Sequence, residues 1–274
     1  MDPFKAIEVF ILSGSSERNF KKGNFSASLR NYLKLIPIYQ SLGENSKLAV
    51  AYRRIAECYH EVKAIMKDEQ RKNFIQCIQN YDNAGEKYSE IGEHLNAGDC
   101  YENAGKVSEE IGDLNNACEY LSKSIEHYVK SGNLMSTSHA YLYLARCYEK
   151  VGSIDLAAEN YEKAGEYNLK IADDRSAASN YESAARLYEN RGIFDKALSV
   201  LANSASANLR LREYSKVADL YQEMAEDYLR VGDMKNSLYY NKKAAEIRFE
   251  NKDYVEAGIS YLEMGASYEA KKDY

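Results

Sequence analysis

Apolar and small residues recur along this chain at spacings of three, four and seven, and the whole pattern returns every twenty residues. Tyr81, Tyr101, Tyr141, Tyr161, Tyr181, Tyr221 and Tyr261 share one register, and Leu121, Leu201 and Asn241 fill its gaps. Four positions on stand Gly85, Gly105, Ala145, Gly165, Ala185, Ala205, Ala225, Ala245 and Gly265, with Ile125 the exception. The three–four spacing is the stripe of an amphipathic helix. A fixed period of this length marks a stacked repeat array.

The breaks between stripes set the true unit. Gly112, Gly152, Gly192 and Gly232 stand forty residues apart, each five residues ahead of Ala117, Ala157, Ala197 or Ser237. The intervening breaks read differently: Ser131-Gly132-Asn133, Ala172-Asp173-Asp174, Leu211-Arg212-Glu213 and Asn251-Lys252-Asp253. Two alternating loop types predict antiparallel helix pairs of about forty residues, stacked as an all-α, right-handed α-solenoid. The small residues let paired helices approach while Tyr and Leu fill the space beside them. The tyrosine hydroxyls can stay at the wet edge of such a stack.

The N-terminal part is less regular. Asp2-Pro3 opens a helix as cap and first turn, Lys22-Gly23-Asn24 breaks it, and a second helix runs from Phe25 to about Leu42 with Pro37 inside it. Proline there predicts a kink. Tyr52, Ile55, Ala56 and Tyr59 restore the motif, but about nine extra residues precede Cys77, so one helix or connection is longer. The map is thirteen helices: irregular hairpins over 1–92, then regular repeats over 93–274 in one continuous solenoid. Lys271-Lys272-Asp273-Tyr274 echoes Asn251-Lys252-Asp253-Tyr254, a turn into the next helix, so a truncated or uncapped C-terminus is expected.

Composition narrows the function. A net charge of -6 over 274 residues provides no concentrated basic surface for nucleic acid. No stretch nears the roughly 20 apolar residues of a membrane span. The only apolar run near the start is Val9 to Leu12, which reads against a secretory signal. Cys58, Cys77, Cys100, Cys118 and Cys147 lack Cys-x-x-Cys spacing and read as reduced core thiols of a cytoplasmic protein. There is no phosphate-binding glycine loop, zinc-protease motif or nucleophile elbow, so no enzyme, cofactor or small-molecule substrate is expected. His60, His94, His127 and His139 lie in different helices or turns and predict no metal site. Asp173-Asp174 reads as a helix cap.

Tyr141, Leu144-Ala145, Tyr148, Ala157, Tyr161 and Ala164 match the tetratricopeptide (TPR) pattern, and the match recurs in at least four hairpins. From Tyr101 to Tyr167 the chain also resembles the soluble NSF attachment proteins. The shared run includes Ala104-Gly105, Ala117, Leu121, Ile125, Tyr128, Gly132, Ala145, Tyr148-Glu149, Asp155, Ala157, Tyr161-Glu162, Ala164 and Tyr167. That resemblance implies a non-enzymatic adaptor which binds SNARE-type helical bundles and recruits a hexameric AAA ATPase to disassemble them in vesicle trafficking. It also implies an apolar N-terminal loop touching membrane, for which Phe10, Ile11 and Leu12 are the candidates; the other reading of these residues is a buried helix end. The family's leucine-bearing C-terminal activating helix has no counterpart after Tyr268. The alternative function is a general TPR scaffold holding a peptide or helix in its concave groove.

On the first helix of each pair, the residue five after the repeat aromatic should face that groove. The column reads Glu57, Lys106, Arg146, Arg186, Glu226 and Ala266, with Lys150 and Arg230 close by. Lys106, Arg146, Lys150, Arg186 and Arg230 are therefore the candidate partner-binding stripe, suited to an acidic helix or bundle. The other reading pairs them with Glu102, Glu149, Glu182 and Glu189 as ordinary solvated charges.

Overall fold

The computed structural model describes residues 3–62 and 67–272, and all the secondary structure it holds is helical. Thirteen α-helices follow one another: α1 (Pro3–Lys21), α2 (Phe25–Leu42), α3 (Asn45–Glu61), α4 (Lys67–Glu90), α5 (His94–Glu110), α6 (Leu114–Ser131) and α7 (Leu134–Val151). Then come α8 (Ile154–Lys170), α9 (Asp174–Asn190), α10 (Phe194–Arg210), α11 (Tyr214–Arg230), α12 (Met234–Glu250) and α13 (Tyr254–Lys272). The expected count and breaks hold. Asp2, the expected first cap, lies outside the described residues. Helix α2 stays one helix through Pro37, and the extra residues before Cys77 lengthen α4 to 24 residues.

The turns explain the regular helix lengths. Gly112, Gly192 and Gly232 all take the left-handed conformation, with φ between 71° and 82°. Beyond the turn glycine the chain folds back: the Asp113 N–H reaches the Ser108 carbonyl at 2.9 Å, which satisfies a carbonyl the helix end leaves open. The same aspartate starts the next helix, its side chain accepting from the Asn116 N–H at 3.2 Å. Asp173 and Asp233 cap α9 and α12 in the same way. Of the alternate breaks, one has Gly132 at φ 71°, and the other three demand the same backbone of poorer residues: Ala172, Arg212 and Lys252 sit at φ of 57°, 60° and 65°.

The chain forms two compact units, Met1–Val151 and Gly152–Tyr274. Within each, a helix packs on its chain neighbours and also meets the helix two along. In the first unit α3 reaches α5 through His60 and Glu110, and α4 reaches α6 through Asp82 and Lys123. In the second, α8 meets α10 through Glu159 and Lys196, and α11 meets α13 through Gln222 and Glu263. Odd and even helices thus form separate layers in each unit, the arrangement of an α-solenoid built from helix pairs.

The tyrosine echo is a knob-and-hole device. Any Cβ added to Gly85 would stand 2.7 Å from the ring of Tyr101, and one on Gly165 would stand 2.8 Å from that of Tyr181. The small residue of one helix is therefore the seat for the aromatic sixteen residues later, on the next helix. Gly105 seats Leu121 in the same manner. Not every tyrosine leaves its hydroxyl at the wet edge. Tyr128 is 2% exposed, and its one hydroxyl proton is shared between Asp99 at 2.9 Å and Glu102 at 2.8 Å. The Tyr188 hydroxyl donates to Glu162. Carboxylates placed one after the repeat tyrosine thus satisfy buried hydroxyls, and burial beside those carboxylates raises both phenols' pKa.

Candidate protein-interaction surface

In the first unit the predicted cations converge. Lys106 lies on α5, pairs with Glu102 one turn earlier, and sits 4.6 Å from the ring centroid of Tyr143 on α7. Tyr143, Arg146, Glu149 and Lys150 line an open recess of 460 Å³ with Glu109 of α5. Lys150 is tied to Glu109, whose carboxylate holds the ammonium above its ordinary pKa. Arg146 is exposed and has no ion pair among the described residues. The helix period puts Tyr143, Arg146 and Lys150 on one face of α7. An exposed aromatic beside an unneutralised guanidinium is a pairing enriched at protein interfaces.

The second unit disposes of its candidates differently. Arg186 is exposed on α9. Arg230, at the end of α11, donates from Nη1 to Asp227 Oδ1 at 2.9 Å, lies 3.9 Å from Glu226 and rests over Phe194. Asp227 is fully buried. Its carboxyl and that of Glu223, both from α11, meet Glu189 of α9 at hydrogen-bonding range. Acceptor faces acceptor there: Glu189 Oε1 and Asp227 Oδ2 are both buried without a donor. Burial foremost, with repulsion from neighbouring carboxylates, raises all three carboxyl pKa values, Glu189 to about 7 and Asp227 to about 6. Arg230 is the only cation among the causes of these shifts, while Glu182 and Glu226 add further negative charge.

This carboxylate group was not among the expected sites, yet the sequence carries its signal. Six residues after the repeat aromatic stand Cys58, Val107, Cys147 and Leu187, an apolar column, and then Asp227. A carboxylate in a core column is the departure to look for. In the predicted groove column itself, Glu57 is neutralised by Arg53 and Arg54, Glu226 is exposed, and the side chain of Ala266 lies outside the described residues.

Phe10, Ile11 and Leu12 occupy neither a loop nor a buried helix end. They lie inside α1, where Phe10 is 78% and Ile11 61% exposed, while Leu12 turns inward against the core of α2 and α3. The helix runs on through Ser13, Gly14 and Ser15 to Lys21, and within it the Ser16 hydroxyl donates to the Leu12 carbonyl at 2.7 Å. The four histidines lie in four different helices, as expected. His94 and His127 meet across α5 and α6 with their Nδ1 atoms 3.2 Å apart. Even so, no three His, Cys, Asp or Glu side chains among the described residues gather as a metal site. No described helix is long and apolar enough to cross a membrane.

The family model of the soluble NSF attachment protein, SNAP, matches residues 69–171. No curated protein matches the chain. Among solved structures, the apo form of RapI aligns with a TM-score of 0.50 at 12% identity, over 97% of this chain and 100% of that one. A putative kinesin light chain of nearly identical TPR-like repeats from Podosopora anserina aligns with a TM-score of 0.47 at 14% identity, over 74% of this chain and 96% of its own. At 12% identity the RapI likeness speaks to fold alone. With its helix pairs and seated tyrosines the chain is a helical repeat protein of TPR-like fold, and its segment 69–171, which takes in α5 to α7, is similar to the SNAP family.

Proposed function

We propose that the chain is a non-enzymatic adaptor that holds an acidic helical partner against the α5–α7 recess. The observation that carries this reading is Arg146, exposed and unpaired beside Tyr143, inside the segment that the SNAP model matches. A guanidinium there can fork onto a carboxylate of a partner helix, and Lys106 and Lys150 add positive potential that steers the encounter. By the family likeness the partner is a SNARE-type helical bundle, and the adaptor hands it to an AAA ATPase in the cytoplasm. Phe10 and Ile11, exposed on α1, supply a peripheral membrane contact in this reading. Arg186 and Arg230 belong to the same proposal, Arg230 more weakly because Asp227 already engages it.

The test is a pull-down of a SNARE-type four-helix bundle by the wild-type chain and by Arg146→Glu with Arg186→Glu. Retention by the double variant should fall at least about tenfold, as expected for losing two interfacial charge contacts, with the melting temperature little changed. Equal capture by both proteins would discard the stripe. Selective capture of one short extended peptide, with no bundle retained, would favour the general TPR scaffold instead, which the shared fold equally accommodates.

A further inference from the structure

All five cysteines are free and buried, and two of them face one another. Cys118 of α6 and Cys147 of α7 bring their sulfurs to 2.8 Å, within the cluster formed by Leu121, Ile125, Ala140 and Leu144. A disulfide bond spans about 2.05 Å, so bonding requires the sulfurs to approach by only roughly 0.8 Å. No other two cysteine sulfurs are in contact among the described residues. The other three sit apart: Cys58 in α3, Cys77 in α4 and Cys100 in α5.

We propose that Cys118 and Cys147 form a reversible disulfide when the folded protein meets a small peroxide. The hydrogen bond assigns the roles. Cys118 donates its S–H to Cys147, so Cys147 is the sulfur whose thiolate that bond stabilises. The Cys147 thiolate attacks the peroxide O–O bond, giving a sulfenic acid and, with the Cys118 or solvent proton, one water. The Cys118 sulfur then displaces the sulfenic hydroxyl, forming the S–S bond and a second water. Two thiols and one hydrogen peroxide thus become one disulfide and two waters, with both sulfurs oxidised and the peroxide reduced.

Burial sets the conditions. Cys118 is 7% and Cys147 2% exposed. Desolvation raises both thiols, Cys118 to about 12, so the reaction is slow at neutral pH and quickens as pH rises. At that exposure bulky disulfide reagents are kept from the sulfurs, and the proposal requires that a small peroxide reach them. The bond would tie α6 to the helix that bears Arg146 and Lys150, in a loop closed across 29 positions. This inference does not depend on what the recess binds.

The experiment treats the full-length native chain with hydrogen peroxide, blocks remaining thiols with N-ethylmaleimide in denaturant, and maps the unreduced digest by mass spectrometry. The expected result is a linked peptide pair joining Cys118 to Cys147, lighter by two hydrogens than the sum of its parts. Titratable thiols should fall from five to three, and a dithiol reductant should restore them. Under the same treatment Cys147→Ser should keep all four of its thiols unlinked. Five free thiols after oxidation, or oxidation scattered over the five cysteines without that linked pair, would overturn the proposal. Because the linked peptide is read in the wild-type chain, the outcome does not hang on whether a variant folds.

Discussion

The two units are built from one repeat and spend their charge in opposite ways. In the first, Lys106, Arg146 and Lys150 gather around Tyr143, and the cation in the middle is left open to solvent. In the second, the arginine at the matching place in its repeat, Arg230, turns back onto a fully buried Asp227 and a trio of crowded carboxyls. Lys150 and Arg230 both stand nine residues after a repeat tyrosine. What separates them is the residue three positions earlier, Cys147 in one repeat and Asp227 in the other. Where that column stays apolar the cation pairs across to Glu109 of another helix; where it holds a carboxylate the cation pairs back onto its own helix, and both cations are half exposed. Position in a repeat therefore locates a charge without saying what it is free to do.

The largest expected effect tests what the units share. Gly85→Leu and Gly165→Leu each push a side chain into a tyrosine ring already in contact. Each should cost roughly 1–3 kcal/mol, read as a lower urea midpoint. Similar losses at both sites would confirm a common packing device under different surfaces; a loss at only one would separate the units at the level of the core as well.

Arg230→Ala against Lys150→Ala sharpens the contrast itself. Removing Arg230 strips from the buried Asp227 carboxyl its only cationic donor among the described residues and should destabilise by about 1–3 kcal/mol. Removing Lys150 breaks an exposed pair with Glu109 and should cost less than about 1 kcal/mol. Equal costs in chemical denaturation would mean that Asp227 is not held as the packing indicates.

A gentler effect is a slope with pH. Glu189, Glu223 and Asp227 have folded pKa values above their unfolded ones, so the native chain holds more protons than the unfolded chain between the two. Their contribution is fully present at and below the ordinary carboxylate range and is lost as pH rises through the folded values toward neutrality. The groups facing them are Glu182, Glu226 and Arg230, and only the arginine opposes this trend. Urea midpoints should decline over that interval, and Glu189→Gln, which cannot ionise, should flatten the decline. An unchanged slope in the variant would locate the titration elsewhere.

Much of this was legible before any coordinates. The twenty-residue echo, paired by alternating loops, determined an all-helical array, the thirteen helices and nearly every break, because helix period and left-handed turns are local properties read from adjacent residues. The cations were legible as a column for the same reason. Their company was not. Tyr143 under Lys106, the Cys118–Cys147 contact and the meeting of Glu189 with Asp227 join residues on different helices, and such contacts depend on how helices stack rather than on spacing within one. The apolar stretch at Phe10 shows the limit most simply. Hydrophobicity marked it as either membrane-seeking or buried, and only the packing of α1 decided that Leu12 turns to the core while Phe10 and Ile11 remain outside.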